Sequence, residues 1–189
     1  MCRTELPDDF YGRIRSRLYQ RIGRELALAY RVLDLGCGNC DLVRFLRQTY
    51  RQRVTGVDIS DGSMPRRDDP SSSHAPLRCI KANASRLDFL RDASVDALVT
   101  TWALHEMTGP EKVLREAFRV LRPGGKMLIV DFSKDSLAQR LWDEKYWTAP
   151  QVGTLLKKTG FAGVRARTIH QEQVIWALGS KPPRTEGKT

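Results

Sequence analysis

The sequence predicts an α/β fold, a doubly wound, mostly parallel sheet with helices on both faces, and three observations carry that expectation. Residues 31–46 run from an apolar segment through glycines at alternate positions into the helical spacing of Leu42, Val43, Phe45 and Leu46. Strand-like runs at 53–60, 77–81, 94–101 and 126–131 follow, with a helical pattern over 111–121 before the last of them. After another helical pattern over 149–159, two late strand-like runs, 164–169 and 173–178, complete the sheet.

At 189 residues and 41% hydrophobic content the chain is long enough for one buried core, and no break divides it. It opens without an apolar leader, and no apolar run approaches the roughly 18 residues of a membrane span, so a soluble, cytoplasmic protein is expected. The formal charge of +10 keeps nucleic acid, anionic lipid and acidic metabolites open as partners, beside the plainer reading of a solvated basic surface.

In chain order, Phe10, Ile14, Leu18, Ile22 and Leu26 recur at helical spacing, with Arg13, Arg15, Arg17, Arg21 and Arg24 between them. Residues 1–30 are therefore expected to form an amphipathic basic helix that covers the sheet, lids the site or presents arginines to an anion. The strand from Arg31 then ends in Asp34-x-Gly36-x-Gly38-x-Cys40, a turn into a helix. Glycines there permit positive φ and let a ligand approach the main chain, while the helix start offers free N–H groups. Asp41 stands where a dinucleotide turn needs its last glycine, and the Gly-Lys-Ser/Thr of a phosphate loop is absent. A second strand ends at Asp58, about 20 residues beyond the turn, the spacing at which a carboxylate accepts both hydroxyls of a ribose.

Cys37-x-x-Cys40 has redox or metal spacing, but no second pair with ligand spacing accompanies it, and no metal site is expected. Cys79 reads as a small buried hydrophobe. The stretch 64–76 is polar and broken by prolines, with His74 an exposed loop residue.

The Asp34-x-Gly36-x-Gly38 turn, with Cys40 in place of the usual third glycine, resembles the first motif of the class I S-adenosylmethionine (SAM)-dependent methyltransferases. Residues 94–107, an acid at the strand start, threonines at its end and then Leu104-His105, resemble that family's fourth strand. The run Phe118-Arg119-Val120-Leu121-Arg122-Pro123-Gly124-Gly125 is similar to its helix stop and turn, and residues 120–134 look most like the quinone-biosynthesis branch, methyltransferase type 11.

The resemblance covers about Arg31 to Gly179 and implies a Rossmann-like, seven-stranded sheet with one antiparallel late strand, a SAM-binding domain over 31–180 and a frayed tail over 181–189. It implies SAM as cofactor, held by Asp34, Gly36, Cys37 and Gly38 at the turn, and by Asp58 and Ile59 at the ribose. It further implies Asn83 and Ala84 at the adenine edge, where Asn83 replaces the usual Asp, and Thr100 beside the methionine part. His105, Glu106, Tyr11, Tyr19 and Tyr146 are general-base candidates by position; the resemblance places His105 best, just past the fourth strand, as a base or as a structural cap of the loop.

The function implied is in-line methyl transfer to a small-molecule acceptor. The alternatives are a nucleic-acid or protein methyltransferase that uses the basic arm, and a SAM-binding protein without catalysis. Trp142, Tyr146 and Trp147 either wall an aromatic pocket or pack beneath a helix, and the short segment 132–148 leaves little cover for a quinone-sized acceptor.

Overall fold

The computed structural model describes residues 6–65 and 78–183. The elements run α1 (Phe10–Glu25), β1 (Arg31–Leu35), α2 (Asp41–Tyr50), β2 (Arg53–Asp58), β3 (Arg78–Lys81), β4 (Val95–Thr101), α3 (Pro110–Val120), β5 (Leu121–Phe132), α4 (Leu137–Trp142), α5 (Ala149–Lys158), β6 (Ala162–Ile169) and β7 (Val174–Ser180). The strands form one sheet in the order β3-β2-β1-β4-β5-β7-β6. Only β7 runs antiparallel to its neighbours, so the expected mostly parallel sheet with one reversed late strand is what forms. Strand order reverses beside β1, and the C-terminal ends of β1 and β4 open there into the crevice where doubly wound folds bind ligands.

Alternation along the strands divides the apolar residues into two cores. Val32, Val99, Leu128, Val130 and Trp176 meet α1, α2 and α4, whereas Leu33, Leu98, Met127, Ile129 and Ile175 meet α3 and α5. The buried stripe of α1, Ile14, Leu18 and Ile22 with Leu26 after it, belongs to the first core, so this helix is continuous with the domain. Truncating a buried leucine such as Leu18 to alanine removes about 2–5 kcal/mol of stability. Asp96 anchors the central strands, one carboxylate oxygen accepting the Tyr30 and Arg31 N–H groups at 2.9 and 2.7 Å.

The structure differs from expectation at four places. Helix α4 lies within the short segment 132–148, to which the sequence assigns no element. Arg122-Pro123-Gly124-Gly125 lies within β5 and not before it: α3 stops at Val120 as expected, but the run bulges out of the ladder, with Gly124 at φ +76° and the β4 register jumping from Val95–Leu121 to Ala97–Lys126. Lys181, expected to fray, has its N–H and C=O paired with Gly125 and Gly124, and its Nζ meets the Phe118 and Leu121 carbonyls at 2.7 and 2.8 Å. A cation over the last carbonyls of α3 satisfies groups that a helix end leaves open. Cys79 is not a lone hydrophobe, because it is bonded to Cys40. His74, Leu77, most of the 64–76 loop and the tail from Arg184 lie outside the described residues. Among those described, no helix is long and apolar enough to cross a membrane.

Candidate functional site

A cavity of about 430 Å³ opens at the C-terminal ends of β1, β2 and β4. Its floor is the turn from β1 into α2. The Gly36 and Cys37 N–H groups both donate to the Val57 carbonyl, at 2.8 and 3.1 Å, which folds the turn over the end of β2. Gly36 takes φ +75°, and a Cβ there would lie 2.4 Å from that of Ala103, so a side chain is excluded by both conformation and space. Cys40, at the third glycine position of the motif, also takes a left-handed conformation, φ +63°. A non-glycine residue there costs about 1–3 kcal/mol, which explains why the motif favours glycine.

Most residues expected at the cofactor line this cavity: Asp34, Gly36, Cys37 and Gly38 on the floor, Asp58 and Ile59 on one wall, Asn83 and Ala84 beyond them. Asp58 is oriented by the main chain, its Oδ2 accepting from Gly38 N–H at 2.9 Å and its Oδ1 from Ser60 N–H at 3.0 Å. Each oxygen keeps a second lone pair for a ligand hydroxyl. The Asn83 oxygen already accepts the Ser85 N–H and hydroxyl, at 2.9 and 2.8 Å, so the group it can turn to a ligand is its NH2. Thr100 is not in the lining; Thr101 is. Strand parity explains the shift: Asp34 shares its face with Val99 and Thr101, while Thr100 points with Leu98 to the other core, its hydroxyl without a partner among the described residues. Alternation from Val99 was the signal that places Thr101. Tyr19 of α1 and Glu106, both candidates from the sequence, also line the cavity, as do Trp102 and Met107.

Two features give the cavity a polar appetite. Asp34 is buried, its Oδ1 finds no hydrogen-bond partner among the described residues, and burial, with the nearby Asp58 charge, pushes its carboxyl up to about 7. An orphaned buried carboxylate facing a cavity fits a cationic ligand group. Thr101 Oγ1 is likewise buried, with no partner among the described residues. SAM carries a cationic sulfonium and an ammonium beside a ribose diol, so Asp34, Asp58 and the bare Gly38 main chain suit it.

His105 lies just outside this lining, in a three-residue 3-10 turn, Leu104–Glu106, after β4. Its ring is 4% exposed, with Nδ1 2.7 Å from Asp131 Oδ1 and Nε2 3.2 Å from Glu144 and 3.7 Å from Glu106. Asp131 also accepts the His105 and Phe132 N–H groups, at 2.9 and 2.8 Å. Burial pulls the imidazole down, but the hydrogen bond and charge of Asp131, joined by Glu106 and Glu144, more than offset it and leave it above its ordinary value. Aromatic rings surround the pair. Phe132 stacks on Trp102 at 4.2 Å and meets Tyr11, Trp142 and Tyr146 at 4.7, 5.1 and 5.6 Å. Of the three aromatic residues left undecided by sequence, Tyr146 is buried against His105 and Trp142 sits half-exposed at the rim. Trp147 instead lines a separate 590 Å³ groove between α3 and α5.

The sheet order and this cavity define a protein of the SAM-dependent methyltransferase class. The chain belongs to the methyltransferase domain family, which it matches over residues 33–129. It is 33% identical over 136 residues to the ubiquinone/menaquinone biosynthesis C-methyltransferase of Serratia proteamaculans, covering 68% of this chain and 54% of that protein. The chain thus spans about half the length of that relative. An uncharacterized methyltransferase of Mycobacterium bovis is 31% identical over 155 residues, covering 82% of this chain and 71% of that one. Among solved structures, the 1,6-didemethyltoxoflavin-N1-methyltransferase of Burkholderia thailandensis, bound to 1,6-didemethyltoxoflavin and S-adenosylhomocysteine, aligns with TM-score 0.65 at 21% identity over 96% and 93% of the two chains.

Proposed function

We propose that this protein is an active SAM-dependent methyltransferase whose acceptor is a small, planar molecule. The observation that carries the reading is Trp102. It takes φ +58°, a conformation disfavoured for a bulky residue, while stacking on Phe132 and presenting its indole to the cavity. Strain of that kind gathers at binding sites, and an indole wall suits a flat ring. Serratia and Burkholderia relatives with quinone-biosynthesis and toxoflavin names act in the same sense.

Bound SAM supplies an electrophilic methyl group. This chain's part is to hold the cofactor through Asp34 and Asp58, to seat the acceptor against Trp102 and to take its proton. Glu106 faces the acceptor from the cavity wall, and His105, backed by Asp131, is the base behind it. As the methyl arrives the proton leaves the acceptor for Glu106 and passes on to His105 Nε2, 3.7 Å away, where Glu144 at 3.2 Å and Asp131 behind Nδ1 stabilise the imidazolium. The arginines of α1 do not support a polyanion track at this site. Arg13 pairs with Asp9, Arg15 reaches Asp41 at 3.7 Å, Arg21 lies over Trp176, and none lines the cavity.

The test is S-adenosylhomocysteine release over a panel of hydroquinones, phenols and planar heterocycles, with single-stranded RNA and peptides beside them. Turnover is expected with a planar small molecule, falling about 100-fold in His105→Gln while SAM affinity is unchanged. Turnover with RNA or peptide alone overturns the reading.

A further inference from the structure

Three of the four cysteines converge on the cofactor turn. Cys40, the N-cap of α2, is joined by a disulfide to Cys79 of β3, 39 residues on. Cys37 remains a free thiol, its Sγ 3.7 Å from that of Cys40. Gly56 of β2 makes the room. It pairs in register with Cys79, and a Cβ there would lie 2.7 Å from the Cys37 sulfur.

The bond joins two walls of one cavity. Cys40 closes the turn that carries Gly36 and Gly38, and Cys79 sits on the strand that leads directly to Asn83 and Ala84. It also uses a motif position where a side chain is disfavoured, since Cys40 is held at φ +63°. A residue in that conformation persists when its surroundings over-determine it, and the cross-link to β3 is such a constraint.

We propose that the Cys40–Cys79 bond is a reversible redox clamp on the cofactor site. Closed, it holds the glycine turn and the corner after β3 at the spacing that binds cofactor. Open, it lets them part, and cofactor affinity falls.

An external dithiol opens it. One thiolate of the reagent attacks Cys79, the half-buried partner, and the fully buried Cys40 sulfur leaves and takes up a proton. The reagent's second thiolate then displaces the Cys79 sulfur, which is protonated in turn. Two electrons and two protons pass to the protein, and the reagent ends as its own disulfide. A hydroperoxide closes it. Its oxygen transfers to the Cys79 thiolate with loss of the alcohol, and Cys40 displaces that oxygen as water. Cys37 stands aside: burial, then the charges of Asp34 and Asp58, push its thiol up to about 12, so it stays protonated at neutral pH.

The experiment titrates S-adenosylhomocysteine calorimetrically into the full chain in two states, oxidised with a hydroperoxide and reduced with dithiothreitol. Each state is confirmed by peptide mapping after thiol alkylation. Affinity is expected to fall at least fivefold on reduction. Cys79→Ser should bind as the reduced wild type does and ignore the reductant; the wild-type comparison stands alone if that variant does not fold. Equal affinities, tighter binding after reduction, a reductant effect that survives in Cys79→Ser, or an oxidised protein without the 40–79 cross-link would each overturn the clamp.

Discussion

Asp34 and Asp131 end two strands of the same sheet, both are buried, and they are opposites. Asp131 is saturated: two main-chain N–H groups and an imidazole converge on it. Asp34 has an oxygen that no described residue reaches. A buried carboxylate whose partners are all internal is part of the architecture, whereas one left open on a cavity wall anticipates a partner from outside. The difference separates the end of β1, polar and incomplete, from the end of β5, where Asp131 and its aromatic neighbours satisfy one another.

The largest effect that tests this contrast is expected from Asp131→Ala. It strands the His105 ring and two N–H groups in the interior and should cost about 3–5 kcal/mol in urea unfolding. Asp34→Asn should act the other way on stability. Because the folded carboxyl is raised from 3.8 to about 7, its favourable protonated state is fully present below pH 3.8 and is lost as pH rises through about 7. The variant escapes that loss, so above pH 7 it should be more stable than wild type by up to about 4 kcal/mol, at about 1.4 kcal/mol per pKa unit. At pH 3.5 the two should unfold alike; a gain of equal size there would detach the effect from the carboxyl's titration.

Asp34 should also couple cofactor binding to protons. A cationic partner favours the ionised carboxyl, so SAM affinity is expected to rise with pH up to about 7, by at most about tenfold per unit, and then level off. Calorimetry in buffers of different ionisation enthalpy should register a proton released near pH 6, absent in Asp34→Asn. Asp58→Ala should weaken SAM by more than about tenfold with the fold intact, since charge-assisted hydrogen bonds contribute about 1.5–3 kcal/mol each. Asn at that position should cost less, and an unchanged dissociation constant for the alanine variant would remove Asp58 from the site. The smallest effect belongs to Arg13, Arg17 and Arg24. Changed together to Gln, these exposed residues should leave SAM affinity within about twofold, because it is Tyr19 that α1 contributes to the cavity.

The sheet was legible because periodicity is a local property of the chain: the stripe Ile14, Leu18, Ile22 and the run at 126–131 report their partners without naming them. The turn was legible because its glycines answer a local conformational demand at Gly36. What escaped depends on register between distant segments. Thr101 replaced Thr100 through one step of strand parity, and Cys79 met Cys40 because β3 lies beside β2 with Gly56 between them. Asp131 meets His105 through the pairing of β4 with β5, and Glu144 arrives only after α4, a six-residue helix whose pattern is too short to declare itself.

Trp102 has a consequence in optics. Its indole is stacked on Phe132 and borders the cavity, so replacing water by a ligand there changes the medium around a natural fluorophore. Cofactor occupancy should therefore shift the intrinsic emission of the unlabelled protein, with Trp102→Phe supplying the blank against which Trp142, Trp147 and Trp176 are subtracted.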